Sequence, residues 1–205
     1  MSLVVLTGGA RCGKSAAAEC LAAASTGRVV VAVGGRVLDD PEMVRRVERH
    51  LADRPGRFET LEIDDVVAFG AALPTGCCLV VECLGTMVSS LMEALAVGQD
   101  ARIPLGADVF ADGRYERDAA DAVDALVEAL VARVEDTVVV TNEVGSGIVP
   151  VHPSARLFRD VLGRANRRLV DAADAAYLVV AGRCVDLRAL PAEPAWPSAS
   201  PEEST

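Results

Sequence analysis

The chain has 205 residues, about half of them apolar but only 3% aromatic, and a formal net charge of −10. That length suits a single compact domain, expected over 1–190, with a core of Ala, Val and Leu. So large an excess of acid excludes a non-specific binder of nucleic acid or anionic membrane, and any phosphate site must be a local concentration of donors.

Short apolar runs alternate with helical patterns, which predicts an α/β fold with a largely parallel central sheet flanked by helices. The first strand is expected at Leu3–Thr7. Its apolar run "LVVLT" is too short for a signal-peptide core and has no basic leader, and no run approaches the ~20 apolar residues of a membrane span. A soluble, cytoplasmic protein is the expectation. The six cysteines, at 12, 20, 77, 78, 83 and 184, show no metal-ligand spacing; Cys77 and Cys78 flank an apolar run and are expected as buried free thiols.

After the first strand comes "GGARCGKS", Gly8 to Ser15, followed by a helix from Lys14. Strand, Gly-x-x-x-x-Gly-Lys-Ser and helix together make a phosphate loop, and the fold expectation becomes P-loop NTPase-like. Gly8 and Gly13 allow a tight turn whose N–H groups, with those of Gly9, Ala10, Arg11 and Cys12, converge on phosphate oxygens. Lys14 sets a point charge on the β- and γ-phosphates, and Ser15 offers a hydroxyl to Mg²⁺. Lys14 is the only lysine among twenty basic residues, so arginine has not replaced it here.

The second strand is expected at Arg28–Val33 and a helix from Pro41 to before Pro55. That helix holds His50 in "RRVERHLADRP". Arg46, Arg49 and Arg54 nearby would keep an imidazole neutral and nucleophilic and neutralise arriving phosphates. These residues by themselves favour the simpler alternative, a surface helix whose arginines pair with Glu42, Glu48 and Asp53 and in which His50 is incidental. The next strand, Cys78–Glu82, ends in an acid placed to hold Mg²⁺ through water or to accept a proton from an attacking hydroxyl. A partly solvated acid at a strand end is the alternative.

A helix follows from about Gly85. Val97–Asp118 is Gly/Asp-rich and expected as a surface excursion or lid. In a helix over Ala119–Val134, positions 123, 126, 127, 130, 131 and 134 fall on one apolar face. A strand at Thr137–Thr141, a helix over Ser154–Ala173 and a strand at Ala176–Ala181 complete the fold. His152 is expected to be structural. Residues 191–205, rich in Pro, Ser and Glu, are expected to form a flexible tail.

"LTGGARCGKS", "DDPEMVRRVERHLADRP", "VVECL" and "TNEVGSGIVPVHPSARLFRDVLGRANRRLVDAADAAYLVVAG" resemble, in that order, the bifunctional adenosylcobinamide kinase/adenosylcobinamide-phosphate guanylyltransferases of cobalamin biosynthesis. The block Asn142–Pro150 followed by Arg156–Asn166 is the most specific part. The resemblance implies that ATP or GTP phosphorylates adenosylcobinamide. GTP then donates GMP, through a guanylyl-histidine, to adenosylcobinamide phosphate. It places the guanylylated histidine at His50, four residues before Arg54-Pro55. It places nucleotide contacts at Gly8–Ser15, at Gly34, Gly35 and Arg36, at Leu51, Ala52, Asp53 and Arg54, and at Glu62. Mg²⁺ would fall to Ser15 and Glu82, and the assembly would be a homotrimer.

The chain departs from the family pattern at Glu82, Gly85, Met87 and Ser90, where Asp, Thr, Trp and Asn are usual. It departs also at Gly34-Gly35, Leu51 and Phe58. These changes gather near the metal and guanine regions. They leave open a kinase with only one of the two activities, beside a nucleotide-binding switch without small-molecule chemistry. Arg156, Arg159 and Asp160 are read as reaching phosphate or a partner subunit, against simple packing of a strand-to-helix connection.

Overall fold

The computed structural model describes residues 2–34, 56–100 and 113–194, side chains at 98–100 excepted. The described residues form a seven-stranded sheet in the order β3-β2-β4-β5-β1-β6-β7. The strands are β1 (Leu3–Thr7), β2 (Val29–Gly34), β3 (Phe58–Ile63), β4 (Cys78–Glu82), β5 (Thr137–Val140), β6 (Ala175–Val180) and β7 (Arg183–Asp186). Every neighbouring pair is parallel except β6 with β7. The helices are α1 (Lys14–Ala23), α2 (Val66–Ala71), α3 (Leu84–Asp100), α4 (Arg114–Ala132) and α5 (Pro153–Ala172).

Apolar residues on both faces of the central strands give the sheet two cores, as a buried parallel sheet requires. Val5, Leu79, Val81 and Val139 point toward α2, α3, α4 and α5. Leu6, Val80, Val138 and Val140 point to the opposite face, where α1 lays Ala18 and Ala22 on the sheet. Small side chains let α1 approach closely, which fixes the height of the phosphate loop at its N-terminus.

Two strands escaped the sequence reading, and both are edges. β3 reads "FETLEI" with only its two end residues buried, and all of β7 is exposed. Neither carries the apolar run that marks a central strand, and polar, charged edges are the usual protection against edge-to-edge pairing. The short helix α2 was also missed. It is capped by Asp65, whose carboxylate accepts from the Val67 and Ala68 N–H groups.

The helix expected at Ala119–Val134 begins earlier and ends sooner. Gly113 starts it in a left-handed conformation, and Tyr115 is buried with its hydroxyl donating to Met92 O at 2.8 Å. At its end Arg133 turns to extended backbone and spends its guanidinium on the carbonyls of Pro74, Cys77 and Asp136. Val134 therefore leaves the apolar face and is 68% exposed, while Val131, still within the helix, lies at the margin of that face at 41%. The stretch Val97–Asp118 is correspondingly shorter as an excursion: residues 97–100 end α3, residues 114–118 open α4, and 101–112 lie outside the described residues. Cys77 and Cys78 are buried as expected, whereas Cys20 and Cys184 are exposed.

Candidate active site at the carboxyl edge of the sheet

β1, β5 and β4 lie side by side, so their carboxyl ends bring three segments of sequence together. Ligands of open α/β sheets bind at this edge. From β1 the chain turns into the phosphate loop, with Gly8 at φ 149° and Gly13 at φ 106°. A Cβ on Gly8 would strike Val179 O and come within 2.9 Å of Cys12 Sγ, so only glycine permits this packing. Gly182, in the β6–β7 turn, donates its N–H to Cys12 O at 2.8 Å and buttresses the loop from the other side.

Lys14 is 7% exposed. Its ammonium donates to Gly8 O at 2.8 Å and Gly9 O at 2.7 Å, with Cys12 Sγ at 3.7 Å. All three protons are thereby directed at the loop the phosphates would enter. Ser15 Oγ donates to Glu82 Oε1 at 2.5 Å. The two residues expected to share a metal are thus in direct contact, from the first turn of α1 and the end of β4. An all-oxygen pair, one member a carboxylate, has the hard-donor chemistry that Mg²⁺ prefers, and the residues fit that ion. Bound there, Mg²⁺ would neutralise charge on the phosphates.

β5 ends between these two groups, and here the structure supplies residues to which the sequence reading gave no role. Thr141 Oγ1 donates to Asn166 Oδ1 at 2.6 Å, Asn166 Nδ2 donates to Asn142 O at 2.9 Å, and Glu143 N donates to Gly8 O at 3.1 Å. Asn166 sits among the buried residues Val161, Leu162, Ala165 and Leu169 of α5. A polar residue on the apolar face of a helix was the available signal. The Glu143 carboxylate accepts from the Gly145 N–H at 2.6 Å and shapes its own turn.

Arg156 does not reach toward the phosphate loop; its guanidinium donates to Pro150 O and Val151 O. Arg159 lies 3.6 Å from Asp160. His152 is exposed and precedes α5 without capping it by its side chain.

Gly34 ends β2, and the register sets Val33 beside Glu62 of β3. Glu62 is exposed. Gly34 lies three strand spacings from β1, about 14 Å along the edge. A Cβ on Gly34 would fall 2.5 Å from Met87 Cγ, so two of the departures from the family pattern are in contact. Gly85 is buried, with space for a Cβ 3.4 Å from Asn142 Nδ2. His50, Gly35, Arg36, Leu51, Ala52, Asp53 and Arg54 lie outside the described residues. No helix among the described residues is long and apolar enough to cross a membrane.

The geometry agrees with what related proteins indicate. The family profile described as "Cobinamide kinase / cobinamide phosphate guanyltransferase" matches residues 4–187. A Salmonella typhimurium protein named bifunctional adenosylcobalamin biosynthesis protein CobU is 38% identical over 190 residues, covering 91% of this chain and 99% of the relative. The CobU of Escherichia coli is 34% identical with the same coverage of both chains. A Pseudomonas aeruginosa relative named CobP is 32% identical, over 91% of this chain and 98% of its own. A phosphate loop, a facing acid and these matches over nearly the whole length lead to one conclusion: the chain belongs to the cobinamide kinase / cobinamide phosphate guanyltransferase family.

Proposed function

We propose that this protein carries out both reactions on a cobinamide: phosphorylation of adenosylcobinamide by ATP or GTP, then transfer of GMP from GTP to give adenosyl-GDP-cobinamide. The observation that carries the reading is the convergence of Lys14, Ser15 and Glu82 in a chain of this family. In the first reaction the acceptor hydroxyl oxygen attacks the γ-phosphorus, the bond to the β–γ bridging oxygen breaks, and the nucleoside diphosphate leaves. Lys14 and the loop N–H groups stabilise charge on the transferring phosphoryl group. Ser15 would hold Mg²⁺, which would neutralise charge on the phosphates, and Glu82 would either hold the same ion through water or take the hydroxyl proton.

In the second reaction a ring nitrogen of His50 attacks the α-phosphorus of GTP and pyrophosphate leaves. A phosphate oxygen of adenosylcobinamide phosphate then attacks the same phosphorus and releases His50. Gly8, Gly9, Ala10, Arg11, Cys12 and Gly13 bind phosphate. Gly34, Gly35, Arg36, Leu51, Ala52, Asp53, Arg54 and Glu62 contact the guanine nucleotide, with the base lying toward the β2–β3 end of the edge. The protein is cytoplasmic, a single unit over 1–190 with 191–205 as a tail. It assembles as a homotrimer by the family resemblance, and the apolar loop Ile148–Val151, where Ile148 is 96% and Val151 86% exposed, supports a contact between subunits.

The departures at Gly85 and Ser90, in the first two turns of the helix that follows Glu82, favour a second reading in which one activity is lost. Product chromatography separates the two. Incubation with adenosylcobinamide, Mg²⁺ and GTP is expected to yield adenosyl-GDP-cobinamide, with the monophosphate as an intermediate. Accumulation of monophosphate alone would favour the single-activity kinase, and no nucleotide turnover would exclude both.

A further inference from the structure

The Asn142–Glu143 peptide group is held at both ends. Its carbonyl accepts from Asn166 Nδ2 at 2.9 Å, and its N–H donates to Gly8 O at 3.1 Å. Gly8 O also accepts from Lys14 Nζ at 2.8 Å. A continuous chain of hydrogen bonds therefore runs from α5 to the lysine of the phosphate loop through one peptide plane. Its far end is equally determined. The Asn142 carbonyl can only accept, so the Asn166 amide must present Nδ2 to it, and Oδ1 then faces Thr141, whose hydroxyl donates at 2.6 Å. Asn166 is 7% exposed and Thr141 fully buried, so neither has water as a ready substitute.

We propose that Asn166, oriented by Thr141, is a positioning residue for triphosphate binding. It fixes the Asn142–Glu143 peptide so that Glu143 N–H holds the Gly8 carbonyl when Lys14 turns from that carbonyl to phosphate. Lys14 can offer a ligand the proton now near Cys12 Sγ, but serving both the β- and γ-phosphates draws at least one more from Gly8 O or Gly9 O. Gly8 is buried at the base of the loop, so without a second donor its carbonyl would be left unpaired, at a cost that weakens binding. Glu143 N–H removes that cost, and Asn166 keeps the donor in place. Bonds in such a chain also polarise one another. Neither Asn166 nor Thr141 touches the ligand in this account. It gives the Asn142–Asn166 block a task in the phosphate site, and it rests on reading Gly8–Ser15 as a phosphate loop.

The test measures binding of β,γ-imido-GTP and of inorganic tripolyphosphate, both with Mg²⁺, to the full chain and its variants by calorimetry, well below each melting temperature. Asn166→Leu, which keeps the volume and removes the amide, is expected to weaken both ligands by the same factor, about tenfold. Thr141→Val is expected to weaken both by about threefold, while Thr141→Ser, which keeps the hydroxyl, binds like wild type. Should Asn166→Leu fail to fold, the Val and Ser variants at 141 decide the matter. A merely structural role would lower the melting temperature and leave both affinities at the wild-type value, which would overturn the proposal. Weakening confined to the nucleotide, with tripolyphosphate unaffected, would overturn it too. Wild-type protein that binds neither ligand would instead overturn the phosphate-loop reading, and the positioning role with it.

Discussion

Among twenty basic residues the single lysine is Lys14, and its surroundings explain why arginine does not serve there. The ammonium is a compact charge in a buried turn, bonded to two carbonyls of its own loop and close to Cys12 Sγ. A planar guanidinium is wider and cannot retract into that turn. Lys14→Arg and Lys14→Ala are both expected to lower kcat/KM for the kinase step by about 100-fold or more. Steady-state kinetics with ATP and with GTP check this, and near-normal activity in the arginine variant would show that charge alone suffices. The residues of the loop were legible because their types are dictated by phosphate chemistry. Asn166 and Thr141 were not, because a buried Asn on a helix and a Thr at a strand end acquire meaning only when the topology sets β5 between β1 and β4.

At the scale of elements, the central strands and long helices were readable from apolar runs. The edge strands β3 and β7 were not, since an edge buries little and its sequence is accordingly polar. The apolar face of α4 stops short of Val134, and nothing local announces that Arg133 will leave the helix for carbonyls at the amino edge of the sheet. Element packing also accounts for a pair of departures from the family pattern. Met87 of α3 is fully buried against the end of β2, where Gly34 offers no side chain to oppose it. Gly34→Ala is expected to cost about 1–3 kcal/mol in the wild-type background. The cost should be clearly smaller beside Met87→Ala, because the nearest atom, Met87 Cγ, is then gone. Denaturant unfolding of the four proteins of this cycle measures the difference. Equal costs in both backgrounds would mean that the two substitutions are independent.

At the scale of the whole molecule, the proposed phosphate chemistry of this acidic chain gathers at one edge of the sheet, where Lys14, Ser15 and Glu82 meet. The exposed apolar loop after β5 lies in the same connection that carries Asn142 and Glu143. A trimer is therefore expected to bury Ile148 and Val151. Sedimentation should give a mass about three times 21.4 kDa, and Ile148→Asp with Val151→Asp should shift it toward one. A wild-type monomer would contradict the assembly. In the proposed cycle one chain both binds the triphosphate at Lys14 and takes the nucleotide onto His50. Mass spectrometry of the protein after exposure to GTP and Mg²⁺ tests it most directly. A single added GMP is expected on the peptide containing His50, labile to acid, stable to base and absent from His50→Ala. No adduct on the wild-type protein, or one that survives in His50→Ala, would contradict it.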